Sequence, residues 1–174
     1  MRRELSLPYR DEDLIQIRPG DEVILSGVLY VGRDQVHKRL YEAVVNGEDL
    51  PFSFQGNAIY YMGPSPAPDG FVLGAAGPTT SMRMDPFSPL LADHGLKVLV
   101  GKGPRKKEVV EAVGRNGGLY LQAYGGCGAL YSSRILSAET VAYPELGPEA
   151  LLKLTIRDFP VFCMIDTRGE EYIR

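Results

Sequence analysis

Three cationic side chains stand on separate glycine-containing stretches of the sequence. Arg33 follows an apolar run, Arg83 lies four residues after Thr79, and Lys102 lies between two glycines. A second hydroxyl, that of Thr80, adjoins Thr79. Several cations with hydroxyl groups beside them are what recognition of a small dicarboxylate requires. The residues alone therefore predict an anion site and do not identify the anion.

The stretch 32–39 places a guanidinium, a carboxylate and an imidazole within about one helical turn. Arg33 stands where a helix N-terminus already favours anions. Asp34 and His37 are three residues apart, so on a helix they share a face and can hydrogen-bond, which would fix the tautomer of the imidazole. The alternative is that Asp34 only caps the helix and that His37 is a surface or half-buried residue.

The stretch 74–85 joins small residues to three successive hydroxyls, Thr79, Thr80 and Ser81. Small residues allow a ligand to approach the backbone. The planar guanidinium of Arg83 can donate two hydrogen bonds to one carboxylate. A hydroxyl is too weak an acid to serve unaided as a base, so such a role needs a dry pocket and a neighbouring charge. The alternative is a glycine-proline turn followed by a helix cap, with Arg83 solvated.

Two further glycine-rich stretches, 101–104 and 125–128, have the wrong spacing for nucleotide motifs. Lys102 is not part of a Walker A loop, because no Ser or Thr follows it. The stretch around Cys127 lacks the third glycine of a dinucleotide fingerprint, which excludes a nicotinamide site. Lys102 at the start of a helix suits an anion, and the alternative is a plain strand-helix connection.

The elements that must position these residues alternate between strand-like and helix-like segments, which predicts an α/β fold with a partly parallel sheet. Ligands in such sheets bind at the carboxyl ends of strands. Strands are predicted at 22–31, 60–62, 71–75, 97–100, 119–123, 140–143 and 161–165. Helices are predicted from Asp34 to Asn46, around 109–116, and over 151–156, where Leu151, Leu154 and Ile156 follow Pro148.

Composition restricts the class of protein. A chain of 174 residues with 44% hydrophobic content predicts one domain spanning 1–174. The formal charge of -3 gives no basic field for nucleic acid or anionic lipid. Neither a membrane span nor a signal peptide is recognisable, so we expect a cytoplasmic protein. Two cysteines, Cys127 and Cys163, are too few for a cubane cluster, which takes three or four thiolates.

At these residues the chain resembles the beta subunit, or carboxy-terminal domain, of class I iron-sulfur fumarases and of L(+)-tartrate dehydratase. The matching motifs run in order along nearly the whole chain. They are Ser26-Gly27, Arg33-Asp34-x-x-His37-Lys38-Arg39, Gly77-Pro78-Thr79-Thr80-x-x-Arg83-Met84, Gly101-Lys102-Gly103, Gly125-Gly126, Asp158-Phe159-Pro160 and Asp166.

The resemblance implies a swivelling β/β/α domain of three layers, similar to the mobile domain of aconitase. It also implies a hetero-oligomer, in which an alpha subunit holds a 4Fe-4S cluster through three cysteines and this chain supplies substrate-binding groups. The implied activity is that of a hydro-lyase, the reversible hydration of fumarate to (S)-malate. Because the opposing wall would belong to the partner, we expect the site of the isolated chain to be an open surface.

The resemblance assigns roles to the candidate residues. Arg33, Arg83 and Lys102 would hold the carboxylates, with Asp34 and His37 as further substrate-binding residues. The proton next to the carboxylate would be removed by Thr79, with Thr80 as the second choice. Dehydration of tartrate to oxaloacetate is the alternative within the family, and a non-catalytic dicarboxylate-binding domain is the alternative outside it.

Overall fold

The computed structural model describes residues 1–63, 67, 69–70 and 72–173. In these residues seven strands form one mixed sheet, which five α-helices accompany. The strands are β1 (Arg2–Leu7), β2 (Glu22–Val31), β3 (Ala58–Tyr60), β4 (Val98–Gly101), β5 (Leu119–Gln122), β6 (Ile135–Ala142) and β7 (Leu151–Ile165). The helices are α1 (Asp11–Leu14), α2 (Asp34–Asn46), α3 (Ser88–Asp93), α4 (Lys107–Asn116) and α5 (Gly128–Ser133), and two 3₁₀ segments span Ser81–Met84 and Pro144–Glu149.

The first five strands lie side by side in chain order and are all parallel. Their register aligns Val31 with Tyr60, Tyr60 with Val100, and Val100 with Leu121. The carboxyl ends of β2 to β5 therefore lie together along one edge of the sheet. The chain that leaves β2 there carries Arg33, and the chain that leaves β4 carries Lys102.

The last strand, β7, closes the sheet on itself. It pairs antiparallel with β2 from Glu22 opposite Phe162 to Val31 opposite Leu152. Its second half also pairs with β5, and its first half pairs with β6. Because β7 bonds to both β2 and β5, strands β2, β3, β4, β5 and β7 form a ring of hydrogen-bonded neighbours, with β1 and β6 added outside it.

A bulge marks the place where β7 changes its second partner from β6 to β5. The register between β2 and β7 shifts between Leu25 and Gly27, and Asp158 opposite has a positive φ of 54°. The Asp158 amide donates to the Ser26 hydroxyl at 3.0 Å. Gly27 has a φ of 116°, and a Cβ there would collide with the carbonyl oxygen of Leu7. Two motifs of the resemblance, Ser26-Gly27 and Asp158-Phe159-Pro160, thus meet at this bend.

Two apolar cores lie on the two faces of the sheet. One fills the inside of the ring, and its members include Leu25, Val31, Val100, Leu121 and Phe159. The other lies between the sheet and the helices α2, α3 and α4, and its members include Leu40, Leu91, Leu99, Val113 and Ile165. The α/β class and the mixed, partly parallel sheet are thus confirmed, whereas the swivelling, aconitase-like character and the single-domain extent stay predictions.

None of the described helices is long and apolar enough to cross a bilayer.

The C-termini of α2 and α4 follow the predicted signals. Apolar side chains spaced three and four apart bury one face of α2, including Val36, Leu40 and Ala43. The helix ends at Gly47, whose φ of 67° is left-handed and whose amide donates to the Val44 carbonyl. The helix predicted at 109–116 is confirmed as α4.

The helix predicted over 151–156 is wrong, because these residues begin β7. Their apolar spacing fits the period of a helix as well as that of a strand. Backbone hydrogen bonds to β2 on one side and to β6 on the other make them a strand. The strand predicted at 71–75 is also wrong over 72–75, which belong to no strand and bend at 72–74, while residue 71 lies outside the described residues.

We predict that Gly27→Ala lowers the free energy of unfolding by about 3 kcal/mol, since the methyl group adds a backbone clash to an unfavourable positive φ. Gly47→Ala is the control, because Gly47 also has a positive φ but nothing lies within 4 Å of its added Cβ. We expect it to cost about 1 kcal/mol. Urea unfolding of the two variants measures the difference, and equal losses would show that the Leu7 contact does not constrain the bend.

Candidate functional site

Backbone hydrogen bonds bring the hydroxyl-rich stretch to the carboxyl edge of the parallel strands. The amide of Thr79 donates to the Tyr61 carbonyl at 2.8 Å, just beyond β3. Thr80 forms an isolated parallel bridge with Lys102, and the Ser81 amide donates to the Lys102 carbonyl at 2.9 Å. Thr79 is partly buried and Thr80 is exposed. The structure therefore places both threonines beside the predicted lysine.

Arg83 joins this stretch to the start of α2. Its Nη2 forms an ion pair with Oδ2 of Asp34, and the Arg83 side chain is 52% exposed. Asp34 is the first residue of α2, and no side-chain hydrogen bond caps the helix. The alternative in which Asp34 is only a cap is thus wrong. Asp34 instead holds a guanidinium from another loop.

Arg33 is held by a residue that the sequence did not indicate. Its Nε and Nη2 donate to Oε1 of Glu149 at 3.3 and 2.8 Å. The guanidinium also lies against the backbone at Gly63, where an added Cβ would be 2.5 Å from Nη1. Glu149 is 116 positions from Arg33, so no local pattern could predict this contact.

His37 lies beneath the edge, with 1% of its surface exposed. Its Nδ1 is 2.8 Å from the Arg33 carbonyl, and because a carbonyl only accepts, Nδ1 carries the proton. Burial, together with the charge of Arg105, lowers the pKa of His37 to about 4. Nε2 has no hydrogen-bond partner among the described residues. The predicted bond from His37 to Asp34 is not formed, and the surface location is wrong.

A buried ion pair ties the two cation-bearing loops together. Arg105 Nε is 2.6 Å from Oδ1 of Asp85, and their side chains are 0% and 2% exposed. The rest of the guanidinium fork donates to the Ser88 hydroxyl at 2.8 Å and the Tyr61 hydroxyl at 3.1 Å. The second oxygen of Asp85 accepts the Lys106 amide at 2.9 Å. Every charge in this network is therefore hydrogen-bonded, as burial requires.

A second buried contact fixes the backbone of Lys102. The Ser81 hydroxyl accepts the Lys102 amide at 2.9 Å and is 2.8 Å from the Tyr120 hydroxyl. The Tyr120 hydroxyl also donates to the Gly103 carbonyl at 2.7 Å. Gly101 lies so close that a Cβ there would collide with the Ser81 hydroxyl. Gly101 thus serves close packing, whereas a Cβ on Gly103 would meet nothing within 4 Å. The sequence had indicated an anion-binding turn here and not this packing.

The assembled edge carries three cations and two carboxylates. Arg33 is paired with Glu149 and Arg83 with Asp34, whereas the Lys102 ammonium makes no ion pair with any described residue. The site residues Thr79, Thr80, Arg33, Asp34, Arg83 and Lys102 are therefore brought to one edge, with His37 beneath it. Grooves of about 320 and 390 Å³ lie beside Gln122 and Tyr172, and the first of them is also lined by Gly103, next to Lys102. The exposure of Arg83 and Thr80 agrees with the expected open surface.

The described residues do not fit an iron-sulfur cluster. Nowhere in the described part do three or more His, Cys, Asp or Glu side chains gather to hold a metal ion. Both cysteines lie in the described part, and a cubane needs at least three thiolates. Burial raises the pKa of the Cys163 thiol to about 12, which keeps it protonated. No step of the chemistry is therefore assigned to a cluster held by this chain.

Comparison with known proteins gives consistent matches. The family described as Fumarase C-terminus matches residues 2–174. The aerobic class I fumarate hydratase of Escherichia coli (strain K12) is 38% identical over 100% of this chain and 32% of its own length. Fumarate hydratase 2 of Leishmania major is 39% identical over 92% of this chain and 28% of its own.

A further relative from Methanocaldococcus jannaschii is described as an L(+)-tartrate dehydratase subunit beta, and it is 35% identical over 91% of this chain and 84% of its own length. The chain thus spans about a third of the fumarate hydratases it matches and most of this separate subunit.

We predict that His37 makes stability fall as the pH is lowered from about 6.5 to 4. Its folded pKa of about 4 lies below the ordinary value, so in this window the unfolded chain binds a proton that the folded chain does not. The loss approaches about 3 kcal/mol at most. Urea unfolding across this range should show a shallower pH dependence in His37→Asn. His94→Asn, which changes the exposed histidine, should keep the wild-type slope, and a parent slope in His37→Asn would contradict the assignment.

We also predict that Asp85→Asn costs about 3–5 kcal/mol of stability, because it leaves the buried Arg105 charge without its carboxylate. The double change Asp85→Leu with Arg105→Met should be less destabilising than the single change, since it removes both charges. Asp93→Asn at the exposed pair with Arg115 is the control and should cost less than about 1 kcal/mol. A loss at Asp85 no larger than at Asp93 would contradict the role of the buried pair.

Proposed function

The chain belongs to the family described as Fumarase C-terminus, and on that premise we propose that it is the substrate-binding part of a hydro-lyase that converts fumarate and (S)-malate reversibly. The observation that carries the proposal is the convergence of Arg33, Arg83 and Lys102 on one sheet edge, beside Thr79 and Thr80. Similarity to fumarate hydratases supports the reaction class.

The three cations suit a substrate with two carboxylates. Removal of a carbon-bound proton beside a carboxylate builds extra negative charge on that carboxylate. Cations that are already in place stabilise this charge more than they stabilise the substrate, which lowers the barrier. Lys102 has a backbone fixed by Ser81 and an ammonium with no ion pair to a described residue, so it is available to a substrate carboxylate.

Thr79 is proposed as the group that removes the proton. Its amide is fixed to Tyr61 and it is partly buried, whereas Thr80 is exposed. A hydroxyl acts as a base only where neighbouring positive charge favours its ionised form, and the cations of this edge would supply that charge. Thr80 is the second choice.

A partner is needed to complete the site. The three cations and two carboxylates of the edge leave one net positive charge against the two negative charges of a dicarboxylate. The edge is open, and the two cysteines of the sequence are too few to hold a cubane cluster. We therefore propose a hetero-oligomer in the cytoplasm, in which an alpha subunit carries the 4Fe-4S cluster and the facing wall. The separate beta subunit among the relatives supports this division.

Dehydration of L(+)-tartrate to oxaloacetate is a second candidate. It is favoured by a relative of which the chain covers 84%, a protein described as a tartrate dehydratase subunit. Both substrates are four-carbon dicarboxylates, so the same three cations would bind either of them.

The test is anaerobic co-expression with a cysteine-bearing alpha subunit, cluster reconstitution, and absorbance assays with fumarate and tartrate in parallel. We expect Arg83→Ala to lower kcat/KM by about a hundredfold, since it removes a charge-assisted contact to the developing charge. Thr79→Val should lower kcat by about a hundredfold or more, while Thr80→Val, the matched control, should stay near the parent value.

The outcomes separate the candidates. Turnover of fumarate that depends on Arg83 and Thr79 supports the hydratase, and preference for tartrate moves the assignment to the second candidate. Dependence on Thr80 instead of Thr79 would exchange their roles. No turnover with an intact cluster would overturn the proposal and favour a domain that binds dicarboxylates without catalysis.

A further inference from the structure

The segment Pro144–Glu149, which precedes β7, contacts Arg33, just before α2, and Arg39, within α2. Glu149 binds Arg33 with Nη2 to Oε1 at 2.8 Å, and Glu145 binds Arg39 with Nη1 to Oε1 at 2.9 Å. The Arg39 guanidinium also lies over the ring of Tyr143, 5.3 Å from its centroid. Of the two pairs, the one with Arg33 is the less exposed, at 28% and 31%.

Glu149 occupies only one edge of the Arg33 fork. Both Nε and Nη2 point to the same oxygen, Oε1. A guanidinium has five N–H donors in a rigid plane. Nη1 faces the glycine at position 63 and has no hydrogen-bond partner among the described residues. The outer edge of the fork, formed by Nη1 and the second N–H of Nη2, is therefore left for another acceptor.

The segment that carries Glu149 is itself fixed by its backbone. The Leu146 amide donates to the Tyr143 carbonyl at 3.0 Å, and the Ala150 amide donates to the Gly147 carbonyl at 3.0 Å. Directly afterwards Leu151 enters β7 and pairs with β6. The Glu149 carboxylate is thus presented from a constrained position, and it can determine where the Arg33 guanidinium lies.

We propose that Glu149 is a positioning residue that holds Arg33 so that the outer edge of its guanidinium faces a substrate carboxylate. The inference rests on the proposed function of the edge. A free arginine loses rotamer freedom when it binds an anion, and an arginine already held in place has lost that freedom beforehand. The expected signature is weaker binding of the dicarboxylate without Glu149, with little change in the chemical step.

The steady-state test uses the assembled enzyme with fumarate or, if it is preferred, tartrate. Glu149→Gln keeps the size of the side chain and removes its charge, and we expect KM to rise about three- to tenfold with kcat within about twofold. Glu149→Asp should restore part of the parent KM, since it returns the carboxylate. Glu145→Gln is the matched control, because it breaks the neighbouring contact to Arg39 in the same segment, and its KM should stay at the parent value.

Other kinetic outcomes overturn the inference. An unchanged KM in Glu149→Gln would mean that substrate binding does not depend on the positioning of Arg33 by Glu149. A fall in KM would mean that Glu149 competes with the substrate for Arg33. An equal rise in Glu145→Gln would mean that the segment as a whole, and not the carboxylate at Arg33, affects binding.

A readout that does not depend on turnover separates this inference from the proposed function. In the ¹⁵N-labelled chain, the Nε–H resonance of Arg33 can be assigned by its loss in Arg33→Lys. We expect Glu149→Gln to shift this resonance and speed its exchange with water, while Glu145→Gln leaves it unchanged. If the assembled parent enzyme has no activity, the function fails, whereas an Arg33 resonance that is the same with and without Glu149 would overturn the positioning role itself.

Discussion

The buried ion pair between Arg105 and Asp85 is the constraint on which the site depends. Arg83 and Lys102 stand on loops that leave different parts of the chain, and loops of this kind are ordinarily the mobile parts of a fold. The pair fixes one loop to the other from beneath, with Tyr61 and Ser88 satisfying the remaining donors. Burial of two charges gains little net stability. We interpret the pair mainly as a device that sets the positions of the cations.

The pair can act in this way because the strands beneath it cannot slide. β3 and β4 are interior strands of the ring, and each is hydrogen-bonded to a neighbouring strand on both sides. The apolar cores on the two faces of the sheet hold these strands in place. Tyr61 and Tyr120 extend from this sheet into the polar network, and the rings of both lie against the Arg105 guanidinium. The Tyr61 hydroxyl also accepts a hydrogen bond from Arg105, whereas the Tyr120 hydroxyl bonds to the Ser81 hydroxyl and the Gly103 carbonyl. The side chains of Tyr61 and Tyr120 thus connect the rigid sheet to the charged edge.

The sequence was informative where a property is local. The glycine and cation patterns singled out Arg33, Arg83 and Lys102, whose part in a substrate site stays a prediction, and the cap at Gly47 ended α2 as predicted. It was not informative where a long-range partner decides the outcome. The apolar period of 151–156 fits a helix as well as a strand, and pairing with β2 and β6 makes it a strand. The same holds for Glu149, which binds Arg33 although the two are far apart in sequence, and for Asp34, which binds Arg83 and not His37.

The closure by β7 has a consequence for biosynthesis. Every strand of the parallel set precedes β7 in the chain, and the pairing of Glu22 with Phe162 joins positions far apart in sequence. During translation, β1 to β5 emerge with one apolar face uncovered and with an unpaired side of β2 that β7 occupies in the folded chain. Pairing over such separations is slow, and open edges of this kind attract other chains. Nascent chains of this protein therefore pass through a stage at which a chaperone has both an apolar face and an unpaired edge to protect.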